Sequence, residues 1–163
     1  MNAETASHGV TATAITKALM SIETAGQAHQ ISLGSSDTTL TNVASATTRD
    51  GLVANINAVA GTTGITAVAH TTATGIILTD IDGDDIAVRN DKTGANDMHV
   101  TLDQFAGDSA NGNAVTVGPA EGTQTEFGVV VGRITLTSDK SFTITETGAT
   151  GYVAAATAAN SVV

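Results

Sequence analysis

Asn55-Ile56-Asn57-Ala58-Val59-Ala60-Gly61-Thr62-Thr63-Gly64-Ile65-Thr66-Ala67 passes within one short stretch from helical to strand periodicity, and the fold is read outward from it. Upstream, Thr47-Thr48-Arg49-Asp50 supplies a hydroxyl N-cap with a carboxylate three residues on, a shorter-armed capping box whose acid also suits the positive helix end. Leu52, Ile56 and Val59, with Val53 and Ala60 beside them, form an apolar stripe at helical spacing, and Gly61 is a natural stop. Downstream, residues 65–70 alternate with the period of a strand. Gly75-Ile76-Ile77-Leu78-Thr79, the turn Asp82-Gly83-Asp84 and Ile86-Ala87-Val88 then read as a hairpin. The expected local order is helix, strand, strand, turn, strand.

The stretch occurs twice. Asn2-Ala3 and Gly9-Val10-Thr11-Ala12-Thr13-Ala14 match Asn57-Ala58 and Gly64-Ile65-Thr66-Ala67-Val68-Ala69, with equal gaps, each residue 55 positions before its counterpart. Met1 falls opposite Ile56, so residues 1–6 correspond to the tail of a helix. The expectation is that Met1 marks an expression start placed at a cut and that the chain is an excised piece of something longer. Ile134-Thr135-Leu136-Thr137 also echoes Ile76-Ile77-Leu78-Thr79.

The remainder is rich in strand signals. Residues 10–22 and 28–33 around Thr24-Ala25-Gly26 read as a hairpin, and residues 99–105, 114–117, 129–137 and 142–145 as further strands bounded by Gly, Asn, Asp or Ser. Thr recurs where strands would face solvent, a place that suits a β-branched polar side chain. The expected class is α+β: predominantly antiparallel β-sheets and hairpins with one or two short helices. The loops at residues 107–113 and 118–125, the latter holding Pro119, are candidate boundaries, and subdomains are expected at 1–95 and 96–163.

Composition narrows function. The chain of 163 residues is long enough to fold alone, yet it has no Trp, one Tyr (Tyr152) and three Phe (Phe105, Phe127, Phe142), so its core must come from Val, Ile, Leu and Ala. An aromatic content of 2% is poor material for a small-molecule pocket. The net charge is −10, and the six cations, Lys17, Arg49, Arg89, Lys92, Arg133 and Lys140, are scattered. That pattern gives no basic cluster for nucleic acid or for an anionic membrane. With no Cys, disulfides, zinc thiolates and thiol nucleophiles are excluded. The apolar run at 152–156 is too short to span a bilayer, and Met1-Asn2-Ala3-Glu4 lacks the basic start and apolar stretch of a signal peptide.

The Ile-Asn-Ala helix end, the Thr-Gly-Ile-Thr-Ala of residues 63–67 and the Ile-Ile-Leu-Thr of residues 76–79 resemble the repeated module found in the variable middle of bacterial flagellins and in some hook-associated proteins. The two copies cover about half the chain. The resemblance implies a surface-exposed outer domain that projects from the flagellar filament, extracellular, with other flagellin subunits as partners and outer-domain self-association through strand edges. It implies no enzyme activity and no cofactor. The coiled-coil ends that polymerise such a subunit have no counterpart here, since no long heptad-patterned helix occurs. The family's passage, unfolded, through an export channel agrees with a Cys-free chain of small residues.

Several residues bear on alternative readings. Asp80-Ile81-Asp82-Gly83-Asp84-Asp85 offers hard oxygen ligands for Ca²⁺, with Asp91 where a twelve-residue loop would close. Gly83 is however fourth, where an EF-hand wants its glycine sixth, and the flanks read as strands, so an acidic turn is the plainer reading. His8, His29, His70 and His99 are far apart and form no i, i+4 metal pair. There is no Gly-x-Ser-x-Gly elbow, no phosphate-loop Gly-Lys-Ser/Thr and no Asn-x-Ser/Thr sequon, and Gly107-Asp108-Ser109-Ala110-Asn111-Gly112 spaces its glycines too widely for a nucleophile turn. No catalytic, cofactor or metal residue is therefore assigned. The alternative to the architectural reading is a hook-associated or adhesin-like binding module that recognises a surface, glycan or phage, with Ca²⁺ at residues 80–85. A hydrolase with a non-local triad is a third reading.

Overall fold

The computed structural model describes residues 5–22, 28–35, 39–91, 100–106, 109–110, 115–117 and 127–142. The elements in chain order are α1 (Thr5–His8), β1 (Val10–Ile22), β2 (His29–Gly34), β3 (Thr41–Ala46), α2 (Arg49–Ala58), α3 (Ala60–Thr63), β4 (Ile65–Ala69), β5 (Gly75–Asp80), β6 (Ile86–Asn90), β7 (Val100–Ala106), β8 (Ser109–Ala110), β9 (Val115–Val117), β10 (Phe127–Val130) and β11 (Arg133–Ser138). Antiparallel sheets with short helices make this the expected α+β, β-rich class.

The chain divides into two compact units: residues 14–133, and residues 1–13 together with 134–163. That is a different cut from the expected 1–95 and 96–163. In the larger unit one sheet runs β4-β5-β1-β7-β8, with β9 also on β7, and a second runs β10-β6-β2-β3. A single aliphatic cluster draws on both sheets: Ala18, Met20 and Ile22 from β1, Ile76 and Leu78 from β5, Ile31 and Leu33 from β2, Ile86 and Val88 from β6. Leu52 and Ile56 of α2 join the same cluster. Strands whose alternate residues meet across two sheets bury these aliphatic side chains against one another.

Two expected hairpins are corrected. β1 and β2 have nearly the expected spans but lie in different sheets, β1 between β5 and β7, and β2 between β3 and β6. β5 and β6 are likewise separated: β5 pairs with β1 and β4, and β6 with β2 and β10. The physical reason lies in the burial of β6, where Ile86, Ala87 and Val88 are buried in succession. The connection 81–85, too long for a two-residue hairpin turn, carries the chain from one sheet to the other.

Other differences are local. The N-cap is Thr48, whose hydroxyl accepts from Gly51 N at 3.1 Å, one residue later than the capping-box reading placed it. Gly61 does not stop the helical run, which continues through α3 to a left-handed Gly64 (φ 74°), held by Thr63 N to Val59 O and Gly64 N to Ala60 O. β8 falls within the expected loop 107–113, and β3 over residues to which the sequence reading assigned no element. The expected strand 129–137 is broken between β10 and β11, because Gly132 N–H turns to Asp85 Oδ1 at 2.7 Å. Residues 24–26, 99, 118–125 and 143–145 lie outside the described residues.

Candidate functional site

The stretch that decided the fold also concentrates the side-chain work. α2 packs against β3 and β4, which are the terminal strands of the two sheet paths. Asn55 Nδ2 donates to Ala44 O of β3 at 2.9 Å. Asn57, two residues on, takes both backbone groups of Ala67 in β4: Nδ2 donates to its carbonyl at 2.9 Å and Oδ1 accepts from its N–H at 2.8 Å. A carboxamide has the donor and acceptor of a peptide group, so Asn57 stands in for a neighbouring strand at that point. Between them Ile56 is wholly buried in the core. At the other end of α2, Arg49 donates to the carbonyls of His70 and Thr72 in the loop between β4 and β5, at 3.1 and 3.0 Å. The Asn-Ile-Asn tripeptide is thus a clamp: one apolar anchor with an amide on each side, each closing a sheet edge that would otherwise need a partner.

The acidic turn is built differently from a cation loop. Asp80 is 3% exposed, and its Oδ1 accepts the N–H groups of Asp82, Gly83 and Asp84 at 3.0, 3.1 and 3.3 Å. The carboxylate organises its own turn. Gly83 is left-handed (φ 81°), and a Cβ there would overlap Ala14. Gly132 crosses the turn so closely that a Cβ on it would overlap the Gly83 carbonyl. Asp85 holds that crossing, while Asp82 and Asp84 are exposed. Asp91, the expected closing ligand, belongs to another group: it accepts from Ser32 Oγ and from Arg89 Nε, and Arg89 also donates to Ser32 Oγ at 3.1 Å.

The histidines are separated. His8 Nδ1 accepts from Val10 N at 3.0 Å, His29 is buried in β2, His70 Nδ1 contacts Thr72 Oγ1 at 2.9 Å, and His99 lies outside the described residues. Among the described residues no three His, Asp or Glu side chains converge as a metal site would require, and no helix is long and apolar enough to cross a membrane. Sequence reasoning missed the roles of Asn55 and Asn57. The available signal was the recurrence of an Asn-Ala pair ahead of the repeated glycine and strand, which periodicity alone does not translate into an edge contact.

Compared with known protein families and with curated proteins, the chain matches no family model and no curated sequence.

Proposed function

We propose that this chain is an architectural module, the surface-exposed outer domain of a bacterial flagellin, and that it displays a folded β-rich layer outside the filament and performs no reaction. The observation that carries the reading is the module itself: an Asn-Ala pair in the sequence, then a short helical turn, a left-handed glycine and a strand, read twice at one offset. The polar residues described above support it, because Asn57, Asp80 and Asp85 serve turns and edges within the fold. Asp80 Oδ1, already shared by three N–H groups, weighs against the calcium-assisted alternative. In this reading the partners are neighbouring flagellin subunits, with outer domains touching across the filament surface, in an extracellular location. The test is removal of residues 1–163 from the parent subunit, followed by measurement of filament diameter by electron microscopy. A thinner, intact filament is expected; an unchanged diameter, or loss of filaments, sinks the reading.

A further inference from the structure

The repeat of the sequence is also a repeat of structure, and it exposes a surface. α1 stands 55 positions before α3, and Gly9 (φ 68°) the same distance before Gly64 (φ 74°). The bond that spans each glycine recurs with different chemistry: Val10 N–H donates to His8 Nδ1 at 3.0 Å, and Ile65 N–H to Thr63 Oγ1 at 3.2 Å. The partner strand recurs as well. β4 pairs with β5, Thr66 opposite Thr79 and Val68 opposite Ile77. β1 pairs with β11, and there Thr137 Oγ1 donates to Thr11 O and Thr13 Oγ1 to Thr135 O, each at 3.5 Å. Thr11 and Thr13 lie 55 positions before Thr66 and Val68, while Thr137 and Thr135 lie 58 after Thr79 and Ile77, so both ladders share one register.

Residues 10–13 and 134–138 belong to the smaller unit. That unit is therefore a second copy of the module whose two strands are separated in sequence by the whole of the larger unit. The complete copy carries α2 against β4, with Leu52 and Ile56 in one buried cluster with Ile65, Ala67, Ile76 and Leu78. The matching residues of the split copy are Val10, Ala12, Ile134 and Leu136, which alternate along the two strands with Thr11, Thr13, Thr135 and Thr137. The ribbon thus has an apolar and a polar face. Val10 is buried as Ile65 is, yet Ile134 is 69% exposed where Ile76 is fully buried, and Ala12 and Leu136 are only half-buried where Ala67 and Leu78 are buried.

We propose that the open part of this apolar face, Ile134 with the half-buried Ala12 and Leu136, is the seat of an amphipathic helix of the α2 type, with apolar residues four apart and an Ile-Asn end. The shared register identifies the occupant: a helix that fits Ile65, Ala67, Ile76 and Leu78 finds the same positions filled by residues of the same kind.

The test grafts residues 47–56 onto the full chain in place of Met1, so that the grafted Ile56 takes the position opposite which the repeat already sets it. Amide hydrogen exchange at residues 10–13 and 134–137 is expected to slow by roughly tenfold or more. A control graft with Ser at the grafted Leu52 and Ile56 positions leaves the rates unchanged. Equal protection by both grafts, or by neither, overturns the proposal. So does protection of the ungrafted chain that grows with protein concentration, since the seat would then belong to a second copy. The inference stands on the repeat and not on the flagellar reading, so either can fail alone.

Discussion

The two copies of the module begin alike and end differently. In both, a four-residue helix runs into a left-handed glycine, a side chain before that glycine accepts the amide after it, and the strand finds an Ile-x-Leu-Thr partner in one register. In the complete copy the strands lie in a core shared with α2 and with a second sheet; in the split copy Ile134 faces solvent. The comparison separates what the local sequence dictates from what packing adds. The turn, the glycine and the register recur without the core, so they are local. Burial recurs at Val10, the counterpart of Ile65, but not at Ile134, because it depends on what packs over each strand.

The largest effects should fall where the copies differ. Ile76→Ala removes a fully buried side chain from the aliphatic cluster and is expected to cost about 2–5 kcal/mol in urea unfolding. Ile134→Ala, at the matching position, should change stability by less than about 0.5 kcal/mol. Equal losses at the two positions would mean that Ile134 is covered in solution and would break the comparison.

The clamp comes next. Asn57→Ala leaves Ala67 without either side-chain bond at a half-covered edge and should cost about 1–3 kcal/mol, with faster exchange of the Ala67 amide. Asn57→Asp keeps the acceptor for the Ala67 N–H but sets a carboxylate oxygen against the Ala67 carbonyl, so it should be no milder. An Asn57→Asp variant milder than Asn57→Ala is the wrong order and would show that the amide's donor is not what matters.

Much of this was legible in the residues, and the exceptions have physical causes. Leu52, Ile56 and the alternation of residues 65–70 speak through local preferences, so the helix, β4, β5 and the repeat could be read directly, although the cap fell on Thr48 and the stop on Gly64. Whether β1 joins β2 or β5 is a long-range choice, decided by which faces meet in the core and not by the turn between them. β6 misled for a related reason: with Ile86, Ala87 and Val88 all buried, it lacks the alternation that would tell one sheet from another. The acidic stretch was read as a hairpin turn and instead links two sheets; its organiser, Asp80, acts within the stretch, but its clasp, Asp85 on Gly132, depends on a segment 47 residues away in sequence. The clamp of Asn55 and Asn57 was invisible because an exposed-looking amide at a helix end carries no periodicity.

A third pair of variants probes what the copies share. Gly9→Ala and Gly64→Ala both force a side chain into a left-handed backbone, and each should cost about 1–2 kcal/mol. The Gly64 variant is expected to be the worse, since its Cβ would also press on Asp80 Oδ2 at 3.1 Å, whereas at Gly9 the nearest atom is Asp139 Oδ1 at 3.7 Å. Thermal unfolding of the two variants ranks them, and a harmless Gly9→Ala would show that the split copy does not hold its turn.

The smallest effect tests the bond that spans the glycine. Thr63 is buried, its hydroxyl accepts from the buried Ile65 amide, and it donates to Val59 O at 3.2 Å; His8 is exposed, and water can take over its role toward Val10. Thr63→Ala should therefore cost about 1 kcal/mol, the net worth of a buried hydrogen bond together with the orphaned amide, and Thr63→Ser should restore most of it. His8→Ala should stay within about 0.5 kcal/mol. If a helix of the α2 type is then grafted ahead of Asn2, desolvation of the split copy should raise the cost of His8→Ala toward that of Thr63→Ala. A His8 effect that does not grow with the graft would mean that the two bonds are alike in geometry but not in surroundings, even when the seat is filled.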